Sequence, residues 1–175
     1  MQYVWRLLGF IICCLLLVAC NSQTESVNLQ KEGTEYTMDN VRFYYPNRYE
    51  LGEKGIEKTS VQFQSADEYI FYEVHEDETD NELDHRNQLY IGELQMDGAT
   101  NIVVSQPNLR TGLSVYEITG SYIDRNLRFK HVAYFTESHT YIYGYMATSE
   151  DYEENIREMT VFLHSIVIEE IWEEE

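Results

Sequence analysis

LSVYEITGSYIDRNLRFKHVAYFTESHTYIYGYMAT, residues 113–148, is the stretch whose reading decides the fold. Three runs rich in β-branched and aromatic residues, 113–122, 127–135 and 140–148, are separated by Ile123-Asp124-Arg125-Asn126 and Thr136-Glu137-Ser138-His139. Such short connections between long strands make the neighbours antiparallel. Successive side chains of a strand point to opposite faces. In the middle run Leu127, Phe129, Ala133 and Phe135 therefore share a face with His131, while Arg128 and Lys130 point away. In the last run Tyr141, Tyr143 and Tyr145 lie on one side, and Ile142, Gly144 and Met146 on the other. Both sides are partly apolar, so helices are expected to cover part of each sheet face.

C-terminal to this block, Ser149 is an expected N-cap, with acidic residues in the first turns where the helix dipole favours them. Tyr152, Ile156, Met159, Leu163 and Ile166 form an apolar helical stripe. Val167-Ile168 closes the domain, and 170–175 reads as a frayed acidic tail. N-terminal to the block, 101–105 is a short strand. Before it, Thr79-Asp80-Asn81-Glu82 matches a capping box, and Leu83, Asn87, Tyr90, Ile91 and Leu94 recur at helical spacing. Gly98 is the expected stop. Residues 60–64 and 69–74 read as a hairpin around the polar turn Ser65-Ala66-Asp67-Glu68. Val41-Arg42-Phe43-Tyr44-Tyr45 is a strand ending at Pro46, and 46–58 reads as a long loop.

The chain opens MQYVWRLLGFIICCLLLVAC. Arg6 precedes an apolar run, 7–18, that is too short for a span of roughly 20 residues and has the form of an export signal. Leu17-Val18-Ala19-Cys20 resembles the lipobox of bacterial lipoproteins. That resemblance implies cleavage before Cys20 and acylation of its thiol, with residues 1–19 as signal peptide. Residues 20–35, the lipidated cysteine followed by polar NSQTESVNLQKEGTE, are then expected to be a solvated tether. Two or more acyl chains hold a protein to a bilayer far more firmly than one.

Removing 1–19 leaves 156 residues, one ordinary domain, and takes the formal charge from −19 to −20 because Arg6 is the one charge removed. Such a chain is repelled by phosphate backbones, which argues against nucleic acid as a partner. The three cysteines are Cys13, Cys14 and Cys20, so the domain has neither a disulfide nor a thiol nucleophile. Its stability must come from an apolar core, for which the chain's 15 Tyr and 7 Phe, all but Tyr3 and Phe10 outside the signal, supply area.

The element order, from the strand entering Pro46 through hairpin, helix and three long strands to an acidic-capped helix closing on Phe162-Leu163-His164-Ser165-Ile166-Val167, is similar to the PsbP-like superfamily over 36–169. The resemblance implies a single α+β domain, a twisted antiparallel sheet packed between helices in a PsbP-like sandwich. Members of that superfamily mostly bind proteins or have no known activity, and it offers no shared site motif to transfer to this chain.

Residue patterns that carry chemistry are sparse. The acidic run Glu73, Glu76, Asp77, Glu78, Asp80, Glu82 and Asp84 lacks the glycine and spacing of a calcium loop, and reads as a solvated turn and helix start. His75 and His85 are ten residues apart without a zinc motif and read as surface histidines. No GxSxG, SxxK or glycine-rich phosphate loop occurs. No catalytic residue, metal ligand or cofactor is therefore expected. Tyr141, Tyr143 and Tyr145 are the candidate ligand or partner face, an aromatic platform unless a helix packs on them. The expected function is a lipid-anchored, non-catalytic binding or accessory protein. It would sit on the extracytoplasmic face of a bacterial cell membrane, attached through lipid on Cys20 and engaging another envelope or membrane protein. The alternatives are a glycan or small-ligand binder using the tyrosines and, behind it, a cell-envelope hydrolase.

Overall fold

A computed structural model describes residues 27–54, 59–77 and 82–169. Cys20, the rest of the signal, Thr79 and the tail 170–175 lie outside these residues. In chain order the elements are α1 (Leu29–Glu32), β1 (Gly33–Met38), β2 (Val41–Pro46), β3 (Glu50–Lys54), β4 (Ser60–Ser65), β5 (Glu68–Glu76), α2 (Leu83–Met96), β6 (Thr100–Ser105), β7 (Ser114–Tyr122), β8 (Leu127–Phe135), β9 (His139–Thr148), α3 (Ser149–Leu163) and β10 (Val167–Ile168), with a 3-10 turn at Ile123–Arg125.

The expected meander is the heart of the molecule. A seven-stranded antiparallel sheet runs β3-β4-β5-β9-β8-β7-β6. Strands β6 to β9 follow one another across it, and β9 returns beside β5, pairing Ile70 with Tyr145 and Tyr72 with Tyr143. The connection from β5 to the far edge is carried by α2. Asn126 ends the 3-10 turn in the left-handed region, φ 53°, a conformation that asparagine tolerates better than most residues.

The two faces of this sheet are covered differently. On one, α2 lays Tyr90, Ile91 and Leu94 over Ile118, Tyr122 and Phe129. Farther along the same face lie Tyr116, Ala133, Phe135 and Ile142. On the other, α3 brings Tyr152, Met159, Phe162 and Leu163 onto the sheet, beside a second, three-stranded sheet ordered β1-β2-β10. Val41 and Phe43 of β2 are completely enclosed there. Full burial of such a side chain contributes about 2–3 kcal/mol, and rings cluster densely: Phe43 lies 4.6 Å from Tyr143 and 5.3 Å from Tyr72 between centroids.

Four local expectations are corrected. The tether was expected to run to residue 35, but Leu29–Glu32 forms one helical turn capped by Asn28, and Gly33 begins β1. Val27, Leu29 and Tyr36 pack on the core, an apolar contribution too sparse to stand out in a polar stretch. The expected loop 46–58 contains β3, a charged edge strand. The first long helix starts at Leu83 after Glu82, which makes no side-chain cap. The cap of the last helix is Thr148, one residue earlier than expected, its hydroxyl accepting the Asp151 amide at 3.3 Å.

Candidate functional site

Strand alternation places Tyr141, Tyr143 and Tyr145 on one face, as expected, but the face is closed. Their exposures are 5 %, 0 % and 0 %. The platform reading fails because the small sheet and α3 cover these rings and take up their hydroxyls. Tyr143 donates to the Tyr44 carbonyl at 2.7 Å. Tyr145 donates to Glu68 at 2.8 Å and stacks on Tyr152 of α3. Tyr141 accepts from Asn40 at 3.4 Å. Burial holds the Tyr143 and Tyr145 phenols far above their ordinary range, so both are neutral donors.

The polar groups that organise the fold lie elsewhere. Glu68 belongs by sequence to the polar turn 65–68, yet it is 7 % exposed and accepts from Tyr49 at 2.7 Å, Tyr145 at 2.8 Å and Asn155 at 2.6 Å. Arg48 stands 3.9 Å from it and bonds Glu158 at 2.7 Å. This carboxylate ties the hairpin to α3 and β9. A second cluster joins Glu117 of β7 to Lys130 of β8 at 2.9 Å and to His164, just past α3, at 2.6 Å. Lys130 also reaches Thr160. Burial pushes the Glu117 carboxyl up, but the hydrogen bonds and charges of Lys130 and His164 outweigh that and hold it below its ordinary value. The sequence signal was present: opposite charges on adjacent strands, both on the face that α3 covers.

Under α2 the polar groups are less well served. Arg86 pairs with Asp77, donates to Thr140 at 2.9 Å and to the Thr136 carbonyl at 2.8 Å, and lies over the Phe135 ring. His131 meets the Tyr90 hydroxyl through Nδ1 at 2.8 Å, and burial pushes its pKa down to about 3, so it is a neutral core histidine. Arg86 Nε, Asn87 Oδ1 and His131 Nε2 are buried without a hydrogen-bond partner among the described residues.

Of the other candidates, His75 lies 3.4 Å from Glu73, whose hydrogen bond raises its pKa, and His85 is exposed on α2. Among the described residues no group of three or more His, Cys, Asp or Glu is arranged to hold a metal ion. Ser138 Oγ and His139 Nδ1 are 2.7 Å apart, but they are chain neighbours in a turn, and the His139 ring packs on Tyr141. No described helix is long and apolar enough to cross a membrane.

A cleft of about 430 Å³ lies at the β6 side of the large sheet, lined by Asn101, Val103, Thr119, Ser121 and Arg128 together with Ser149 at the start of α3. Its lining is hydroxyl, amide and aliphatic, with Arg128 already paired to Glu153.

The architecture has a counterpart among solved structures. The solution structure of cyanobacterial PsbP (CyanoP) from Synechocystis sp. PCC 6803 matches with a TM-score of 0.58 at 12% sequence identity, covering 86% of this chain and 99% of that one. The chain has a PsbP-like fold. At this identity the likeness is one of architecture, the α+β sandwich that the element order implied. No protein-family model matches the sequence, and no curated protein matches it.

Proposed function

We propose that this protein is a lipid-anchored, non-catalytic accessory protein held at the outer face of a bacterial membrane, where its domain engages another envelope protein. The observation that carries the reading is Leu17-Val18-Ala19-Cys20 at the end of an apolar run too short to span a bilayer. Two features of the domain support the accessory role. Its fold is PsbP-like, an architecture solved for a protein of that name. Two of its charged clusters, Glu68 and the Glu117–Lys130 pair, are consumed in tying elements together. The glycan reading loses its basis because the tyrosines it needed are in the core.

The test is metabolic labelling with an alkyne-tagged palmitate. The wild-type chain should carry the label and sediment with membranes, and Cys20→Ser should lose both while keeping the thermal unfolding of the domain. A Cys20→Ser chain that still sediments through lipid would overturn the anchor. Protease accessibility on intact cells reads the face: protection of the wild type would place the domain on the wrong side.

A further inference from the structure

The large sheet ends in two edges that are built differently. At one, β3 carries Glu50, Glu53 and Lys54 in five residues, the charged pattern that keeps an edge from recruiting a strand. At the other, β6 reads Thr-Asn-Ile-Val-Val-Ser, with no charge and no proline. Its one irregularity, Asn101 at φ 54° with a register shift before Val103, is confined to its start. Ile102 packs on the cluster under α2, but Val103 and Val104 are 63 % and 38 % exposed although they point to opposite faces, so the second half of this edge is left uncovered by the described helices. Ile123 beside it is 70 % exposed. The cleft described above runs along the same strand.

We propose that β6 is a docking edge, and that its occupant is an extended, lysine- or arginine-bearing segment of a partner protein that adds to the sheet as an eighth strand. The inference rests on the accessory reading and names the surface that reading requires. An edge strand turns alternate N–H and C=O groups outward, so backbone pairing supplies affinity and side-chain contacts supply selectivity. The aliphatic contact is Val103 on one face and Val104 on the other. Charge selects the partner. The nearby cations are committed, Arg125 to Asp97, Arg128 to Glu153 and Lys130 to Glu117, whereas Asp124 and Glu150 stand exposed next in the chain to the cleft residues Ile123 and Ser149. A second copy of this chain, at formal charge −19, brings the same sign to the contact and is disfavoured.

The test uses the full chain in detergent and a fluorescent capped peptide, Lys-Thr-Val-Thr-Val-Lys, read by anisotropy. The peptide should bind, and binding should weaken at least about tenfold when its lysines become glutamates, when alternate peptide amides are N-methylated, or when the protein carries Val103→Lys. Leu51→Lys on the guarded edge should leave binding unchanged. Equal binding of the glutamate peptide, indifference to N-methylation or to Val103→Lys, or absence of binding at millimolar peptide would each overturn the proposal. Self-association in the ultracentrifuge that Val103→Lys abolishes would also overturn it, by giving the edge to a second copy. None of these readouts depends on acylation, so the anchor and the docking edge can fail separately.

Discussion

The two faces of the large sheet solve the same problem, burying polar atoms, in opposite ways. On the face under α3 and the small sheet, four buried tyrosine hydroxyls meet acceptors: Tyr134 the Leu163 carbonyl, Tyr143 the Tyr44 carbonyl, Tyr145 and Tyr49 the shared Glu68 carboxylate. Under α2, Arg86, Asn87 and His131 each leave a buried atom without a partner among the described residues. An unpaired buried polar atom costs about 1–3 kcal/mol, whereas a made hydrogen bond contributes about 1 kcal/mol net. The difference teaches that the tyrosine face holds the fold together and the α2 face is where stability is conceded.

The strongest blow to this contrast falls on the tyrosine side. Tyr143→Ala should cost about 3–5 kcal/mol in urea unfolding, because a fully buried ring is lost from among Phe43 and its neighbours, while Tyr143→Phe should cost about 1 kcal/mol for the hydroxyl alone. Comparable losses in the two variants would show that the ring is not the main contribution.

The next effect is read against pH. His131 is held neutral, with its folded pKa down at about 3, whereas an unfolded histidine titrates near 6.5. The unfolded chain therefore takes up a proton that the folded chain refuses, and stability falls as pH drops below about 6.5, by about 2 kcal/mol between pH 7 and pH 5. Glu117, held below its ordinary value, acts in the same direction, but only as pH falls below about 4.5 toward its folded pKa. His75, raised by Glu73, acts oppositely and is half exposed, so solvent screens it. His131→Leu should flatten the slope between pH 7 and pH 5. An unchanged slope would remove His131 as its source. The smallest change is Asn87→Leu, which deletes an unpaired carbonyl oxygen and should raise stability by about 1 kcal/mol. Destabilisation there would mean that Asn87 makes a bond through water.

How much of this was legible in the sequence varies with distance along the chain. The meander 113–148 was readable because its alternation and its turns are local, and the faces of β8 and β9 follow from them. The helical stripe from Tyr152 to Leu163 was readable for the same reason. What covers the tyrosines was not, since that depends on β2 and β10, which pair across more than a hundred residues, Val167 with Arg42 and Ile168 with Val41. β1 and β3 were missed because their sequences, GTEYTM and ELGEK, carry charges and glycine in place of a regular apolar alternation. Glu68 looked like any acidic turn residue. Its burial comes from Tyr49 and Asn155 on other elements.

The pairing of β10 with β2 also orders the assembly of the molecule in time. Residues 41–46 leave the ribosome well before 167–168, and Glu169 donates its amide to the Asn40 carbonyl to finish the seam. Until that seam closes, the small sheet has only a two-stranded ribbon, and such a ribbon is at best marginally stable alone. The small sheet is therefore completed only when a segment made more than a hundred residues after β2 folds back onto it.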